Sequence, residues 1–476
     1  MLDIPEVESA RFNETRYDDE DEEINMPCPE HYNSPYMSSH SSTDDLEIYE
    51  LKHQAALERS QWRLRVRRLN AAYVWKKTRC FLILFSIMLV VVLATLSWFR
   101  RRSSSRKSKL TPLSTSIQKW AKPSGFRIAA VIFYGRPATV SILDCYLKRN
   151  LVDNGGYLDE VLWMTRTDRD YDLTYLGALV NATERYTYVS FDEKKPTFQK
   201  LWSYTIDPNT LYIKIDDDMI YMHDDAIPRL VETRLKHPEA FDVAANIINS
   251  PLTNWLHYHA GAVKPFLPEA RPMPQNLSEG RRLNWRNSEL PIWSGMPEEE
   301  YKDGNKDNGK TEPPYKGHRW LPLPDTPREL KKTPIVGAQY DSWGNGWTRW
   351  TIGAQQHYSF FANLENGELG KYRFGGEDGI WNMQYDRYNL NFVAIWGKDV
   401  AAHLPKKDED DEQAYTVSYP KELSRPLLID THAIVSHLSF GIQNQIYDTD
   451  LLDRYRAYAN EFVCTADNQL RPPPPL

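Results

Sequence analysis

Ile213-Lys214-Ile215-Asp216-Asp217-Asp218-Met219-Ile220-Tyr221 is the stretch on which the reading of this 476-residue chain turns. Residues 211–215 have the length and apolar content of a buried strand, and they run straight into three consecutive carboxylates. Adjacent like charges repel, so the arrangement is costly unless a cation or strong donors neutralise it. In an extended segment Asp216 and Asp218 point to the same side, which suits two hard oxygen ligands on one ion. A Mg2+ or Mn2+ held there would bridge a diphosphate and offset charge developing on a leaving group.

Outward from this stretch, strand and helix patterns alternate. Residues 127–133 form an apolar run ending at Gly135, and residues 138–151 carry apolar side chains at helical spacing up to the turn Asp153-Asn154-Gly155-Gly156. A second strand at 158–164, a helix at 170–181 and a third strand at 186–191 follow. Beyond the acidic triplet, Asp224 or Asp225 is expected to cap a helix that places Ile227, Leu230, Val231 and Leu235 on one face. Residues 241–248 read as another strand. Such alternation predicts an α/β fold with a mostly parallel sheet flanked by helices. Ligands bind such sheets beyond the carboxyl ends of the strands, where the three aspartates stand. Residues 265–334 break the rhythm with prolines and charges and read as an insertion crossing the sheet edge over an acceptor site. Helices around 354–364 and 377–388, a strand at 392–396 and a His-containing segment complete the pattern.

Residues 80–99, CFLILFSIMLVVVLATLSWF, contain no charge. At about 1.5 Å per residue they span roughly 30 Å, the thickness of a hydrocarbon core, and are expected to form a transmembrane helix. The flanking cations do not decide orientation. Sequons at Asn181 and Asn276 favour a luminal C-terminal side, although Asn13 opens one as well. The segment itself gives a single-pass membrane protein; the type II orientation, and the Golgi ahead of the endoplasmic reticulum, are expectations that rest on the resemblance described below. Residues 1–79 read as a disordered acidic cytosolic tail with a basic juxtamembrane segment, 100–125 as a stalk, 126–464 as the folded domain and 465–476 as an extended tail. A net charge of −7 gives no reason to expect a nucleic-acid partner. Of four cysteines, Cys145 and Cys464 are the two that can pair within the folded domain, or else stay as buried thiols.

A strand, an Asp-x-Asp and a further strand in this order resemble the GT-A (Rossmann-like) class of nucleotide-sugar glycosyltransferases. FYGR at 133–136, ILDCYLKRNLVDNGG at 142–156, KIDDDMIY at 214–221 and NIINSPL at 246–252 are similar to a group of fungal glycosyltransferase-like membrane proteins. The resemblance covers roughly 126–464. It implies a UDP- or GDP-sugar donor, a glycan or glycoconjugate acceptor, and Mn2+ or Mg2+. It also implies Asp218 as direct metal ligand, Asp216 at the metal or ribose, and a C-terminal histidine as third ligand, with His437 first and His432 the alternative. Asp217 belongs to the same donor-binding cluster. Thr165 and Asp168 fall where the class contacts the nucleotide base, and Lys200 where a cation approaches the diphosphate.

Phe374-Gly-Gly-Glu377-Asp378-Gly-Ile-Trp381 is a second acidic site. Its glycines permit close backbone approach, and its acids are expected in the first turn of the 377–388 helix. A general base that deprotonates an acceptor hydroxyl requires such a carboxylate, with Asp378 preferred over Glu377. Trp343, Trp347 and Trp350, set among glycines after Asp341, serve either as a sugar-stacking platform or as core. His257 and His259 are weaker candidates for the same cleft. Two other function classes compete: a metal-dependent phosphodiesterase or phosphotransferase, which calls for more clustered His and Asp ligands, and a carbohydrate- or nucleotide-binding protein without turnover.

Overall fold

The computed structural model describes Met88 and residues 120–466, except 194, 273–283, 295–311, 339, 341 and 344. Two units are distinguished, 1–115 and 116–476, and apart from Met88 all described residues belong to the second.

The first half follows the alternating pattern. Strand β1 (Arg127–Tyr134), helix α1 (Pro137–Arg149), β2 (Glu160–Thr165), α2 (Asp170–Val180) and β3 (Tyr186–Val189) lead through a short helix α3 (Phe198–Trp202) into β4 (Thr210–Asp216). β1 pairs in parallel with β2 and β4, and β2 with β3. β1 is buried along all but its first residue, which explains its unbroken apolar run. Pro137 opens α1, where its missing N–H costs nothing.

After β4 come β5 (Met219–Met222), α4 (Ala226–Lys236), β6 (Asp242–Ile248) and α5 (Pro251–His259). Ile227, Leu230 and Val231 of α4 are fully buried, but Leu235 is 40% exposed. Asp225 occupies the N-cap position without a capping bond. Its carboxylate goes instead to His223 and Arg229. Strands β7 (Phe266–Pro268) and β8 (Trp320–Pro322) form a separate antiparallel pair. They precede the long buried helix α6 (Trp350–Glu365), β9 (Ile380–Asn382), β10 (Phe392–Trp396), α7 (Gly397–Ala402), β11 (Leu428–His437) and α8 (Leu451–Phe462). Cys145 of α1 and Cys464, just past α8, form a disulfide.

The order β3-β2-β1-β4-β10-β6-β11-β5, with β9 also on β11, makes a nine-stranded mixed sheet rather than a mostly parallel one. β10 runs antiparallel to both β4 and β6, and β11 antiparallel to β5 and β9. An apolar run reports burial on both faces and not direction, so the pattern of residues 392–396 reads the same either way. The expected helix at 377–388 is absent. Gly375 and Gly379, at φ 89° and 70°, flank Glu377-Asp378, and Gln384 and Tyr385 are also left-handed. Left-handed residues cannot propagate a right-handed helix, and a turn leading into an edge strand replaces it. The described part of residues 265–334 packs against helices α6 and α8. Trp285 meets Phe361 of α6 and Tyr458 of α8, and Trp320 meets Trp350.

The link from β4 to β5 constrains the whole sheet. The two strands stand four places apart in the order yet are joined only by Asp217 and Asp218. Strands about 4.8 Å apart would separate them by roughly 19 Å in a flat sheet. Three Cα–Cα steps reach about 10 Å. The sheet therefore curls until the end of β11, which pairs with β5, faces the end of β4.

The membrane expectation needs correction. Among the described residues no helix is long and apolar enough to cross a membrane. The run 80–99 lies, apart from Met88, outside the described residues, as do the tail, most of the stalk and the sequon at Asn276. The type II Golgi or endoplasmic-reticulum assignment is therefore withdrawn.

Candidate functional site

The curl brings three side chains together. One ligand atom each from Asp216, Asp218 and His437 lies within 4.8 Å of the others. Asp216 ends β4, Asp218 sits in the link, and His437 ends β11. His437 is held from both sides of the chain. Leu438 N donates to Asp218 O at 3.0 Å, and Leu438 O accepts from Asn249 Nδ2 at 2.9 Å. His357 Nε2 stands 3.0 Å from the same carbonyl, and His357 Nδ1 lies 2.8 Å from Tyr455 Oη. A carbonyl only accepts, so Nε2 carries the proton and Nδ1 receives one. Complete burial lowers the His357 pKa to about 3, which keeps this network neutral.

The triplet divides its work. Asp217 turns away from the other two: its carboxylate accepts from Gly135 N at 2.6 Å and Arg136 Nε at 2.7 Å. Arg136 also reaches Asp218 Oδ2 at 2.6 Å. Asp216 receives Lys214 Nζ and Asn391 Nδ2. The cations Lys214 and Arg136 offset part of the charge of the three carboxylates. Burial raises the Asp217 carboxyl above its usual range despite Arg136. Burial pushes Asp218 the same way, but His437 and Arg136 outweigh it and hold Asp218 below that range.

Asp218 Oδ1 is buried and faces His437 Nε2 at 3.0 Å, a contact that is an ion pair when the imidazole is protonated, with no further hydrogen-bond donor on it among the described residues. A buried carboxylate oxygen that faces an imidazole nitrogen and a second carboxylate belongs to a donor set that a divalent cation satisfies. The residues present fit such an ion.

Beside this cluster lies a cavity of about 320 Å³, lined by Gly135, Arg136, Arg166, Lys214, Asp216 and Asn391 among others. Arg166 stacks over the Phe198 ring at 4.0 Å, and its Nε is buried without a hydrogen-bond partner. A second cavity of about 350 Å³ opens on the other flank of Arg136, toward Arg169 and Tyr447.

The remaining candidates are dispersed. Thr165 is buried at the end of β2, paired with Tyr134. Asp168 is an exposed partner of Lys195 at 3.7 Å. Lys200 is exposed on α3 and lines none of these cavities. Glu377 and Asp378 are exposed, and no hydrogen bond, ion pair or cavity among the described residues connects them to the triplet. Their neighbour Ile380 pairs with Asp430, at the opposite end of β11 from His437. His432 is half-buried against Gly379 in that region, outside the cluster. His257 is a core residue hydrogen-bonded to Asn246 at 2.8 Å, and His259 is exposed against Trp255. Trp347 and Trp350 are core, whereas Trp343 is 42% exposed and Asp341 lies outside the described residues. Arg136, Arg166 and Asn391 were not picked out from sequence. Arg166 lies between two residues that were, and FYGR already contained Arg136.

No family model matches the chain, and no curated protein sequence does. Among solved structures, part of the chain is similar to glucosyl-3-phosphoglycerate synthase from Mycobacterium tuberculosis in complex with Mn2+, UDP and glucosyl-3-phosphoglycerate. That match has 17% identity, covers 27% of this chain and 50% of the other, and has a TM-score of 0.21. The same synthase with Mn2+, UDP and phosphoglyceric acid gives 19%, 27%, 49% and 0.21. A further mycobacterial protein gives 16%, 26%, 41% and 0.21. The matches span half or less of those chains, and a likeness of this size does not define what this chain does.

Proposed function

We propose that the chain is a metal-dependent glycosyltransferase of GT-A-like fold, moving a sugar from a nucleotide-diphosphate sugar to a glycan or glycoconjugate acceptor. The observation that carries this reading is the convergence of Asp216, Asp218 and His437 beside a cavity whose Arg166 has a buried, unpartnered Nε. Two carboxylates and an imidazole would hold Mn2+ or Mg2+, and the imidazole favours Mn2+. When bound, that ion supplies Lewis-acid stabilisation of a diphosphate leaving group.

The chain's own residues then have separate tasks. Lys214 and Asn391 keep Asp216 ionised and oriented. Asp217 clamps the loop after β1 through Gly135 N and Arg136. Arg166 offers a donor fork to phosphate oxygens, taking the place expected of Lys200. The buried network of His357, Tyr455 and Asn249 holds the imidazole of His437 in register with the carboxylates.

Hydrolysis of a panel of UDP- and GDP-sugars by the full-length protein, with Mn2+ or EDTA and with Asp218→Asn alongside, tests the reading. Metal-dependent release of one nucleotide, lost in the variant, supports it and identifies the donor. Silence across the panel, with nucleotide binding indifferent to Mn2+, overturns it.

A further inference from the structure

A third cavity, of about 550 Å³, is lined by Trp343, Trp381, Asn382, Gln384, Asp386 and Arg387 among others. Its volume falls in the roughly 300–1,000 Å³ range of ligand pockets. Three features make it more than a surface dent. Trp343 and Trp381 are 42% and 36% exposed, although most tryptophans of this domain that pack in its core are fully enclosed. Trp381 is anchored: its backbone pairs with Ile429 of β11, and its ring meets Phe374 edge-on at 5.7 Å. The segment that follows is strained, with Gln384 and Tyr385 at φ 50° and 68°, a conformation that ordinary residues hold at a cost and that clusters at ligand clamps.

The cavity also abuts the metal cluster's own cavity. Arg387 lines one and Glu412 the other, and the two are ion-paired at 2.8 Å. Asn391, nine residues past Asn382 on the same segment, reaches Asp216.

We propose that this cavity is the acceptor subsite and that it takes a neutral carbohydrate. Indole faces stack on the apolar C–H face of a sugar ring, and Asp386 with Gln384 supplies acceptors and donors for its hydroxyls. A phosphorylated or otherwise anionic ligand fits poorly. The guanidinium of Arg387 is committed to Asp410 and Glu412, and the Asp386 carboxylate would repel it. As an acceptor subsite the cavity rests on the transferase reading; as a carbohydrate-binding surface it stands without it.

Titration of the full-length protein with maltotetraose, cellotetraose and α-1,6-mannotetraose in EDTA, followed by tryptophan fluorescence and calorimetry, tests the proposal independently of metal and nucleotide. One of the three binds. Trp381→Ala and Trp343→Ala each weaken that binding about tenfold, and Trp381→Phe, which keeps an aromatic face, recovers most of it. Unchanged melting temperatures in these surface variants separate lost stacking from lost folding. Failure of all three sugars to bind, or binding indifferent to both tryptophans, overturns the subsite. Donor hydrolysis without carbohydrate binding would leave the transferase reading intact and sink this one. Carbohydrate binding without donor hydrolysis would keep the carbohydrate-binding surface and remove its role as an acceptor subsite.

Discussion

Asp216–Asp218 and Glu377-Asp378 are both short acidic runs beside a β-strand, but their surroundings differ. Asp217 and Asp218 are 2% and 0% exposed, enclosed by Arg136, Gly135 and His437. Glu377 and Asp378 are exposed on a turn between two left-handed glycines, where the Asp378 carboxylate accepts from Ile380 N at 3.1 Å. Buried carboxylates must be neutralised or they unfold the chain, so their neighbours are tightly specified. Exposed ones are stabilised by water and impose nothing. The chemistry is therefore expected to reside in the first run, and four measurements probe that contrast.

The largest effect belongs to Asp218→Asn. Mn2+ binding by calorimetry should weaken at least about 100-fold, and metal-dependent turnover should fall on the order of 1,000-fold. His437→Ala should follow it in metal affinity. A variant with undiminished Mn2+ affinity breaks the comparison at its centre.

Arg136→Ala comes next. It strands Asp217 and part of Asp218 as buried charges, which costs about 3 kcal/mol or more in urea denaturation. Asp217→Asn together with Arg136→Ala should recover part of that loss. If it recovers none, the clamp on the loop after β1 is not electrostatic.

Acid sharpens the contrast between interior and surface histidines. Burial lowers His257 and His357 to about 3, against 6.5 in an unfolded chain. Because the unfolded state takes up the protons first, their contribution is complete above pH 6.5 and is lost as pH falls from there toward 3. The expected slope is about 1.4 kcal/mol per pH unit for each histidine. His257→Asn or His357→Asn should flatten a plot of unfolding free energy against pH over that window, and equal slopes in variant and parent would refute the assignment.

Glu377→Gln and Asp378→Asn should do least, with stability changes within about 0.5 kcal/mol and Mn2+ affinity unaltered. A turnover loss of about 100-fold or more in Asp378→Asn would restore it as a general base and require the turn to swing toward the cluster.

Much of the centre was readable from single residues. Strand β4 and its acidic end follow from the KIDDD run, whereas His437 was offered only by the resemblance to GT-A enzymes, and the structure brings it within reach of Asp216 and Asp218. Helices α1, α2 and α4 follow from their spacing. What stayed hidden depends on relations between distant segments. The direction of β10 leaves no mark on residues 392–396. The turn at 377–379 depends on backbone angles that glycine permits but does not announce. Asn391 becomes significant only once β10 lies against β4, and Arg166 only once Phe198 slides beneath it. Trp343, Trp347 and Trp350 look alike in sequence, and only packing assigns two of them to the interior.

The two residues between β4 and β5 act as a ruler as well as a charge site. Lengthening that link by a single glycine would leave every carboxylate in place and slacken the closure that brings the end of β11 to the end of β4. The imidazole would then drift from its partners while both strands remained intact. Chain length at this point is thus as strict a requirement as acidity, and an insertion there should silence the centre with little change in the content of secondary structure.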